Sequence, residues 1–425
     1  MRIAIVGGGI VGLTAAVSLA RVGLRATVYE AVRKPSPLGV GINVLPHAVR
    51  ELTELGLLEK LRTLGVCIDE LVYRMADGRE VWREGRGLRG GYDWPQVAVH
   101  RGRLQMLLLD EVRSVLGPDA VRFGHALAAL RLGERVVQLD FADRETGAPQ
   151  GSVEADVVIG ADGIHSAVRR QFYPHEGIPK WSGVSLFRGT TVLPKGQVGA
   201  LMHWTGHSRQ KFAGYPISID PHGGEMLFNW ICDLKTAEAG STPREDWNRR
   251  VDREPLLPRY AGWQWPGIDV PRIVAAAGDV FEFPMVDRDP LPAWTHGRVT
   301  LAGDAAHPMY PIGSNGATQG ILDARSLAYH LATAPDADEA LSRYEADRRE
   351  ATSRIVLTNR AHGPDKVLEI AAARAADPAT DLDAVFPLAE RTQIAQDYKH
   401  IAGFDPVLLK QRRSYTPQGP LATLR

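Results

Sequence analysis

The feature that most constrains this chain is Gly7-Gly8-Gly9-Ile10-Val11-Gly12, a G-x-G-x-x-G run set between an apolar strand and a helix. "RIAIV" (Arg2 to Val6) is apolar and β-branched, as a parallel strand buried on both faces requires. "LTAAVSLARVG" follows with helical apolar spacing and stops at Gly23. The first glycine permits a tight turn, the second lets backbone approach a pyrophosphate, and the third lets the helix pack close on its strand. Phosphate then lies where unpaired N–H groups and the positive helix end point. "RATVYE" is the second strand, and its terminal Glu30 stands 18 positions after Gly12, near the spacing of about 20 expected for a ribose-binding carboxylate. Strand, turn, helix, strand and acid together predict a dinucleotide cradle that uses Gly7, Gly9, Ile10, Val11, Gly12 and Glu30.

Two other readings of the uncharged run fail. A membrane helix needs roughly 20 apolar residues, and a glycine triplet interrupts this one. A secretory leader would carry a basic n-region and a small-residue cleavage site, neither of which is expected here. Gly85-Arg86-Gly87-Leu88-Arg89-Gly90 repeats the glycine pattern to the letter, but it follows "REVWREG" and leads into "GYDWPQ", so a basic surface loop is expected there.

The 425 residues suffice for two or three domains with sizeable cores. Lys plus Arg (50) balance Asp plus Glu (50), which argues against a nucleic-acid partner or an anionic membrane surface. Two cysteines, Cys67 and Cys232, make neither a disulfide framework nor a zinc cluster, and a reducing cytoplasmic setting is expected. His203 and His207 in "HWTGH" have no third ligand nearby; they read as loop histidines, and no metal site is expected.

Hydrophobic patterning predicts an α/β chain with a discontinuous Rossmann-like nucleotide domain over residues 1–70, 98–180 and 275–360. A β-rich domain over 71–97 and 181–274 is inserted in it, and a helical extension covers 361–425. Two further motifs belong to the nucleotide domain. "DVVIGADGIHSAVRR" ends a buried strand at Asp162-Gly163, and Asp162 either caps the next helix or, with Arg169, lies near a pyrophosphate. "VTLAGDAAHPMYPIGSNGATQGILDA" places Asp304 at the carboxyl end of a strand, where α/β sheets bind ligands, and then opens a helix through Gly313-Ser314-Asn315-Gly316. That helix start directs N–H groups and a positive dipole at whatever Asp304 holds.

In this order and spacing the three motifs resemble the class A flavoprotein monooxygenases over about residues 1–360. "GYDWPQVAVHRGRLQ", "FPMVDRDPLPAW" and "GDAAHPMYPIGSNGATQGILDA" are most similar to the phenazine monooxygenases, with salicylate hydroxylase-type enzymes more distant. The resemblance implies FAD as cofactor and NAD(P)H as a transient co-substrate without a domain of its own. It implies hydroxylation of a planar aromatic or N-heteroaromatic ring by O₂ through a flavin C4a-hydroperoxide. Arg101 of "HRGRL" matches the family's FAD-contacting arginine, Asp304 the acid that holds the ribityl chain, and Pro311 the proline beside the substrate ring. Gly313, Asn315 and Gly316 belong to the same cofactor segment. The alternative on this scaffold is a flavin dehydrogenase or reductase that inserts no oxygen.

The substrate is expected between flavin and the β-rich insert. Arg188, Tyr215, Asn229 and Trp230 are the candidates on that wall. Tyr215 would hydrogen-bond or help deprotonate substrate, and Arg188 would pair with a carboxylate; each is equally well read as a strand residue buried against the sheet.

Overall fold

The computed structural model describes residues 1–36, 39–220, 222–241 and 249–418. At its centre is a six-stranded sheet in the spatial order Thr295–His296, Val299–Leu301, Val157–Gly160, Ile3–Val6, Ala26–Glu30 and Val121–Phe123. All neighbours run parallel except the outermost pair, Thr295–His296 with Val299–Leu301. The three strands that lead into the predicted motifs are therefore adjacent, and every residue in them is buried. Uninterrupted apolar runs form these strands because the sheet is covered: the helix Ile10–Arg21 packs on it, and Leu130, Val137, Leu139 and Phe141 of a three-stranded antiparallel sheet (Ala126–Leu132, Val137–Ala142, Pro149–Ala155) join the same core, with Tyr29 stacked on Phe141.

The helix that follows the glycine run (Ile10–Arg21) crosses the helix Gly316–Thr333 at a glycine. A Cβ on Gly320 would lie 2.4 Å from Val11 Cγ2, so only glycine lets the two helices approach this closely.

The second layer is an eight-stranded sheet built from Glu70–Arg74, Glu80–Gly85, Lys180–Pro194, Leu201–His207, Gln210–Ile219, Glu225–Lys235, Gly240–Ser241 and Val280–Asp287. Glu70–Arg74 pairs parallel with Leu201–His207, which joins the two sequence spans expected in the insert. Val280–Asp287 also pairs antiparallel with Lys180–Pro194, although the sequence pattern put residues from 275 onward in the nucleotide domain. Its alternating apolar residues serve this sheet, and the chain returns to the central sheet only at Thr295–His296. A small three-stranded sheet (Gly41–Val44, Gln96–His100, Val66–Ile68) lies between the layers.

Strand pleating assigns the wall residues to faces. Tyr215, Asn229 and Thr190 are register partners, whereas Trp230 is paired with Gly214 and Gly189 on the alternate positions. Trp230 thus points away from Asn229, into a core with Phe212, Phe228, Tyr260, Trp263 and Trp265, and its indole N–H donates to Thr191 Oγ1 at 3.1 Å. A Cβ on Gly189 would be 2.5 Å from the Trp230 ring. The expectation that Trp230 lines the substrate wall is corrected: sequential strand residues cannot share a face. His203 is likewise no loop residue, being 2% exposed on a strand beside Trp265.

The extension contains the helices Lys366–Arg374, Leu388–Ile401 and Pro406–Gln411; its residues 419–425 lie outside the described residues. Val367, Leu368, Phe386 and Ala395 complete a core with Tyr73, Trp82, Met202 and Trp204 of the large sheet. Tyr398, Phe404 and Leu409 pack with Leu45, Met309 and Ile355.

Candidate cofactor and substrate site

The glycine run is closed on the protein side and open on the other. A Cβ on Gly7, whose φ is +107°, would meet the Ala161 carbonyl oxygen at 2.4 Å, and one on Gly12 would lie 2.0 Å from the Gly7 oxygen. Gly9 differs, since a Cβ there meets no protein atom within 4 Å. The side chain of Ile10 is buried, and that of Val11 packs on Gly303 and Gly320, which leaves only the backbone N–H groups of this first helical turn for a ligand. Glu30 accepts the Gly8 N–H at 2.6 Å and the Val32 N–H at 2.9 Å, which holds its carboxylate against the loop.

Ser166 is the N-cap of the helix Ala167–Phe172, its Oγ accepting the Arg169 N–H at 2.8 Å, and Asp162 supports the same helix start. Its carboxylate accepts from Ser166 Oγ at 2.5 Å and from the N–H groups of Ala167 and Val168 at 2.7 and 3.2 Å. Burial nonetheless pushes this carboxyl above the usual aspartate range, against the pull of those bonds. What faces the glycine loop is its backbone, with Asp162 Cα 2.9 Å from the Cβ position of Gly7. Arg169 departs from the pyrophosphate role suggested for it. It is buried, pairs with Glu176, and donates to the carbonyls of Ala305 and Ala306 at 3.1 and 3.0 Å. It braces the turn that carries Asp304 from behind.

Asp304 is exposed although its neighbours on either side are buried. Among the described residues no donor hydrogen-bonds its carboxylate. The low-dielectric walls raise this carboxyl above the ordinary value, and the charges of His307 and Arg101 partly offset the effect. The Cβ position of Gly316, at the start of the long helix, is 3.9 Å from Asp304 Oδ1, so the carboxylate lies at that helix N-terminus. Arg101, the exposed first residue of the helix Arg101–Leu116, anchors its N–H on the Val40 carbonyl at 3.0 Å. Its charge acts on both Asp304 and Arg188, and thus it lies between the nucleotide loops and the sheet wall.

Asn315 is fully buried. Its amide nitrogen donates to Gly313 O at 3.1 Å and to Tyr398 OH at 2.8 Å, and its oxygen accepts from Gln319 at 3.2 Å. The side chain therefore shapes the turn and has no free group for a cofactor. Gly313 adopts φ +72° and Ser314 φ +60°, two successive left-handed residues. Pro311, just before them, is exposed.

On the sheet wall three of the candidates meet at one backbone position. Arg188 Nη2 donates to Gly41 O at 2.9 Å and Tyr215 OH donates to the same oxygen at 3.1 Å, while Asn229 Oδ1 accepts the Gly41 N–H at 2.7 Å. Burial lowers the Arg188 guanidinium below its ordinary pKa and raises the Tyr215 phenol, each in part restored by the other. Two buried donors remain unused, Arg188 Nε and Asn229 Nδ2.

Other residues that shape the site carried no sequence signal of their own. Gln105, one turn beyond Arg101, donates to the Gly8 carbonyl at 2.8 Å; its i+4 spacing from Arg101 is the only cue. Asp323 accepts from Gly303 N–H at 2.9 Å, His307 Nε2 at 2.5 Å and Arg348 Nε at 2.9 Å, which fixes the strand end beneath Asp304. Burial alone would raise Asp323, but His307 and Arg348 outweigh it and hold the carboxyl below its usual value. Arg86, expected in a surface loop, is 7% exposed and paired with Glu84.

These features fit FAD. An unobstructed glycine at a helix start suits a pyrophosphate, and an unbonded carboxylate beside a cation and a helix N-terminus suits a polyhydroxyl chain with a polar ring system. Comparison with known proteins agrees. Residues 1–359 match the family model described as an FAD binding domain. Phenazine 1,6-dicarboxylic acid hydroxylase PhzS of Lysobacter antibioticus is 41% identical over 361 residues, covering 84% of this chain and 89% of that protein. 3-Amino-4-hydroxybenzoate 2-monooxygenase PtmB3 of Streptomyces platensis is 34% identical over 420 residues, 95% of this chain and 96% of that one. The crystal structure of Klebsiella pneumoniae HpxO complexed with FAD and uric acid shares the fold, with a TM-score of 0.72 at 24% identity over 96% of this chain and 97% of that one. The chain belongs to the FAD-binding-domain family and is an FAD-dependent monooxygenase.

Proposed function

We propose that this monooxygenase takes up electrons from NAD(P)H and uses O₂ to hydroxylate a planar aromatic or N-heteroaromatic acid bound against the Gly41 wall. The observation that carries the cofactor part is Asp304, a carboxylate with no donor among the described residues, set beside Arg101 and the start of the helix Gly316–Thr333. The ADP portion of FAD would rest on Gly7, Gly9, Gly12 and the N–H groups of Ile10 and Val11, with Glu30 at its ribose. Asp304 and Arg101 would hold the chain between ADP and ring, and the backbone of Gly313, Asn315 and Gly316 the ring itself. When bound, FAD supplies the two-electron and oxygen chemistry that no protein side chain provides. The protein's part is placement, a positive helix end that favours negative charge, and walls that keep water away.

The unused donors Arg188 Nε and Asn229 Nδ2, on neighbouring strands with Tyr215 on the next strand beyond Asn229, support a carboxylate-bearing substrate. An anion there would relieve the penalty that burial imposes on Arg188. PhzS and PtmB3 are named for aromatic acids, which favours the same class here. Pro311 would border the opposite side of the ring. Residues 1–70, 98–180 and 288–360 would form the nucleotide unit, the later boundary following from the strand Val280–Asp287. The unpaired Cys67 and Cys232 suit a reducing cytoplasm, the balanced charge gives no footing for nucleic acid, and among the described residues no helix is long and apolar enough to cross a membrane.

The test compares wild type with Asp304→Ala. Wild type should purify yellow, release FAD on denaturation, and consume NAD(P)H and O₂ faster with an aromatic acid present, with ¹⁸O from ¹⁸O₂ in the product. Asp304→Ala should retain less flavin. Equal flavin occupancy in the two proteins would remove Asp304 from the site, and turnover without ¹⁸O incorporation would turn the reading toward the reductase alternative.

A further inference from the structure

The turn expected to face the flavin ring is held by a residue from the opposite end of the chain. Tyr398, on the helix Leu388–Ile401, is 4% exposed, and its hydroxyl lies at the hub of the Tyr310–Gly316 segment. It accepts from Asn315 Nδ2 at 2.8 Å and donates to Asn359 Oδ1 at 2.9 Å, with Ile312 O at 3.4 Å. Asn359 in turn donates to the carbonyls of Tyr310 and Ile312 at 3.2 and 3.1 Å. The same hydroxyl occupies the space a side chain on Gly313 would need, 2.1 Å from its Cβ position.

This arrangement explains an otherwise unfavourable backbone. Gly313 and Ser314 are both left-handed, and Ser314 is one of only two non-glycine residues with positive φ among the described residues, the other being His362. Such a conformation persists only where its surroundings over-determine it. Here the surroundings are Asn315, Asn359 and Tyr398, whose amides and hydroxyl satisfy one another and the turn's carbonyls with the apolar side chains of Ile355 and Phe404 packed around them. Lys399, the next residue along the helix, pairs with Glu84 of the large sheet at 2.6 Å. The helix therefore ties the β-rich layer to the cofactor turn through consecutive residues.

We propose that Tyr398 is a positioning residue for the flavin ring: through Asn315 and Asn359 it locks the 310–316 turn in the shape that receives the ring, making the C-terminal extension part of the cofactor site. The proposal rests on the reading that this turn faces the ring of FAD. It predicts a split between the two ends of the cofactor. The full-length chain, stripped of flavin, is titrated with FAD and separately with ADP, which reaches only the glycine loop and Glu30. Tyr398→Phe should weaken FAD by about 3- to 10-fold, the range expected for losing one or two hydrogen bonds, and leave ADP affinity unchanged. The visible absorption bands of the bound flavin should also change shape, because the groups around the ring shift.

Asn315→Ala should give the same split, and the double variant should lose little beyond either single one, since both break one network. Equal FAD affinity and an unaltered flavin spectrum in Tyr398→Phe would overturn the proposal. So would FAD and ADP weakening together, which marks a general loss of structure. Asp304→Ala run alongside separates the two failures. If it weakens FAD while Tyr398→Phe does not, the positioning role alone falls; if neither variant changes FAD affinity, the cofactor reading of the cleft falls with it.

Discussion

Replacing Gly9 by alanine separates folding from cofactor binding more sharply than any other change at the site. Gly9 caps the first helix with φ −77° and ψ −175°, a conformation open to any residue, and its added methyl group would meet no protein atom within 4 Å. Alanine is a poorer N-cap than glycine by up to about 1 kcal/mol. Restricting the unfolded chain returns roughly 0.4–1 kcal/mol, so the net change in stability is near zero. The apoprotein should melt within about 2 °C of wild type.

Binding is another matter, because the methyl fills the approach that the glycine leaves clear. Pushing a pyrophosphate off the helix start weakens charge-assisted hydrogen bonds of about 1.5–3 kcal/mol each. Loss of one corresponds to roughly a 10- to 150-fold rise in the Kd for FAD. Flavin fluorescence quenching would measure that Kd, and melting with and without FAD would read the same loss as a smaller ligand-induced shift. Gly12→Ala is the contrast: its Cβ would lie 2.0 Å from the Gly7 carbonyl oxygen, so the apoprotein itself should be destabilised by several kcal/mol. A Gly9→Ala protein that binds FAD like wild type would refute the argument that phosphate approaches at this residue. One that fails to fold would refute the claim that this face of the loop is clear.

Three other outcomes follow from the geometry. Tyr215→Phe removes the hydroxyl that donates to Gly41 O and should slow substrate-stimulated NAD(P)H oxidation, whereas Trp230→Phe, on the far face, should lower stability by about 1–3 kcal/mol in urea unfolding and leave turnover intact; equal turnover effects would collapse the distinction between the faces. Asp323→Asn should cost about 3–5 kcal/mol at neutral pH, since it leaves buried Arg348 without its counter-charge. Because the native Asp323 carboxyl is held below its usual pKa, its contribution is present above about pH 4 and is lost as pH falls through the lower native value, so wild type and variant should converge in acid. Burial, with smaller contributions from Arg74 and Arg83, pushes His203 down to about 3. The unfolded chain therefore takes up a proton first, and stability should fall by about 1.4 kcal/mol per pH unit between pH 6.5 and 3, a slope that His203→Gln should remove from the titration of unfolding free energy.

What could be seen in the residues alone were the positions where backbone geometry dictates residue type. A loop in which an added Cβ would lie 2.4 Å from a neighbouring carbonyl oxygen admits only glycine at Gly7, and that requirement is written at a fixed spacing from its strand. The position of Asp304 just past a strand end is legible too, as is the order of the three motifs, whose strands lie side by side. Residues that act across the fold were not legible. Gln105, Asp323, Asn359 and Tyr398 meet their partners only after packing, and apart from the i+4 spacing of Gln105 from Arg101 no local pattern marks them. Trp230 departs from the expected wall for a different reason: period-two alternation puts it on the face opposite Asn229. The charged run around Arg86 suggests a surface loop and the lack of a third ligand suggests a loop histidine at His203, although burial is set by the strands and helices packed over them. The strand Val280–Asp287 lies past the predicted boundary because a sheet recruits its edge from any distance along the chain.

The order of strands in the central sheet has a consequence for how the molecule is made. Ile3–Val6 receives one neighbour, Ala26–Glu30, almost at once, but the other, Val157–Gly160, is synthesised about 150 residues later, and Val299–Leu301 follows after a comparable interval. At 5–20 residues per second, a nascent chain on the ribosome carries an apolar strand with one bare edge for roughly 8–30 s. An unpaired edge of this kind invites pairing with foreign chains, so yield in a cell should depend on chaperones that shield it until the later strands emerge.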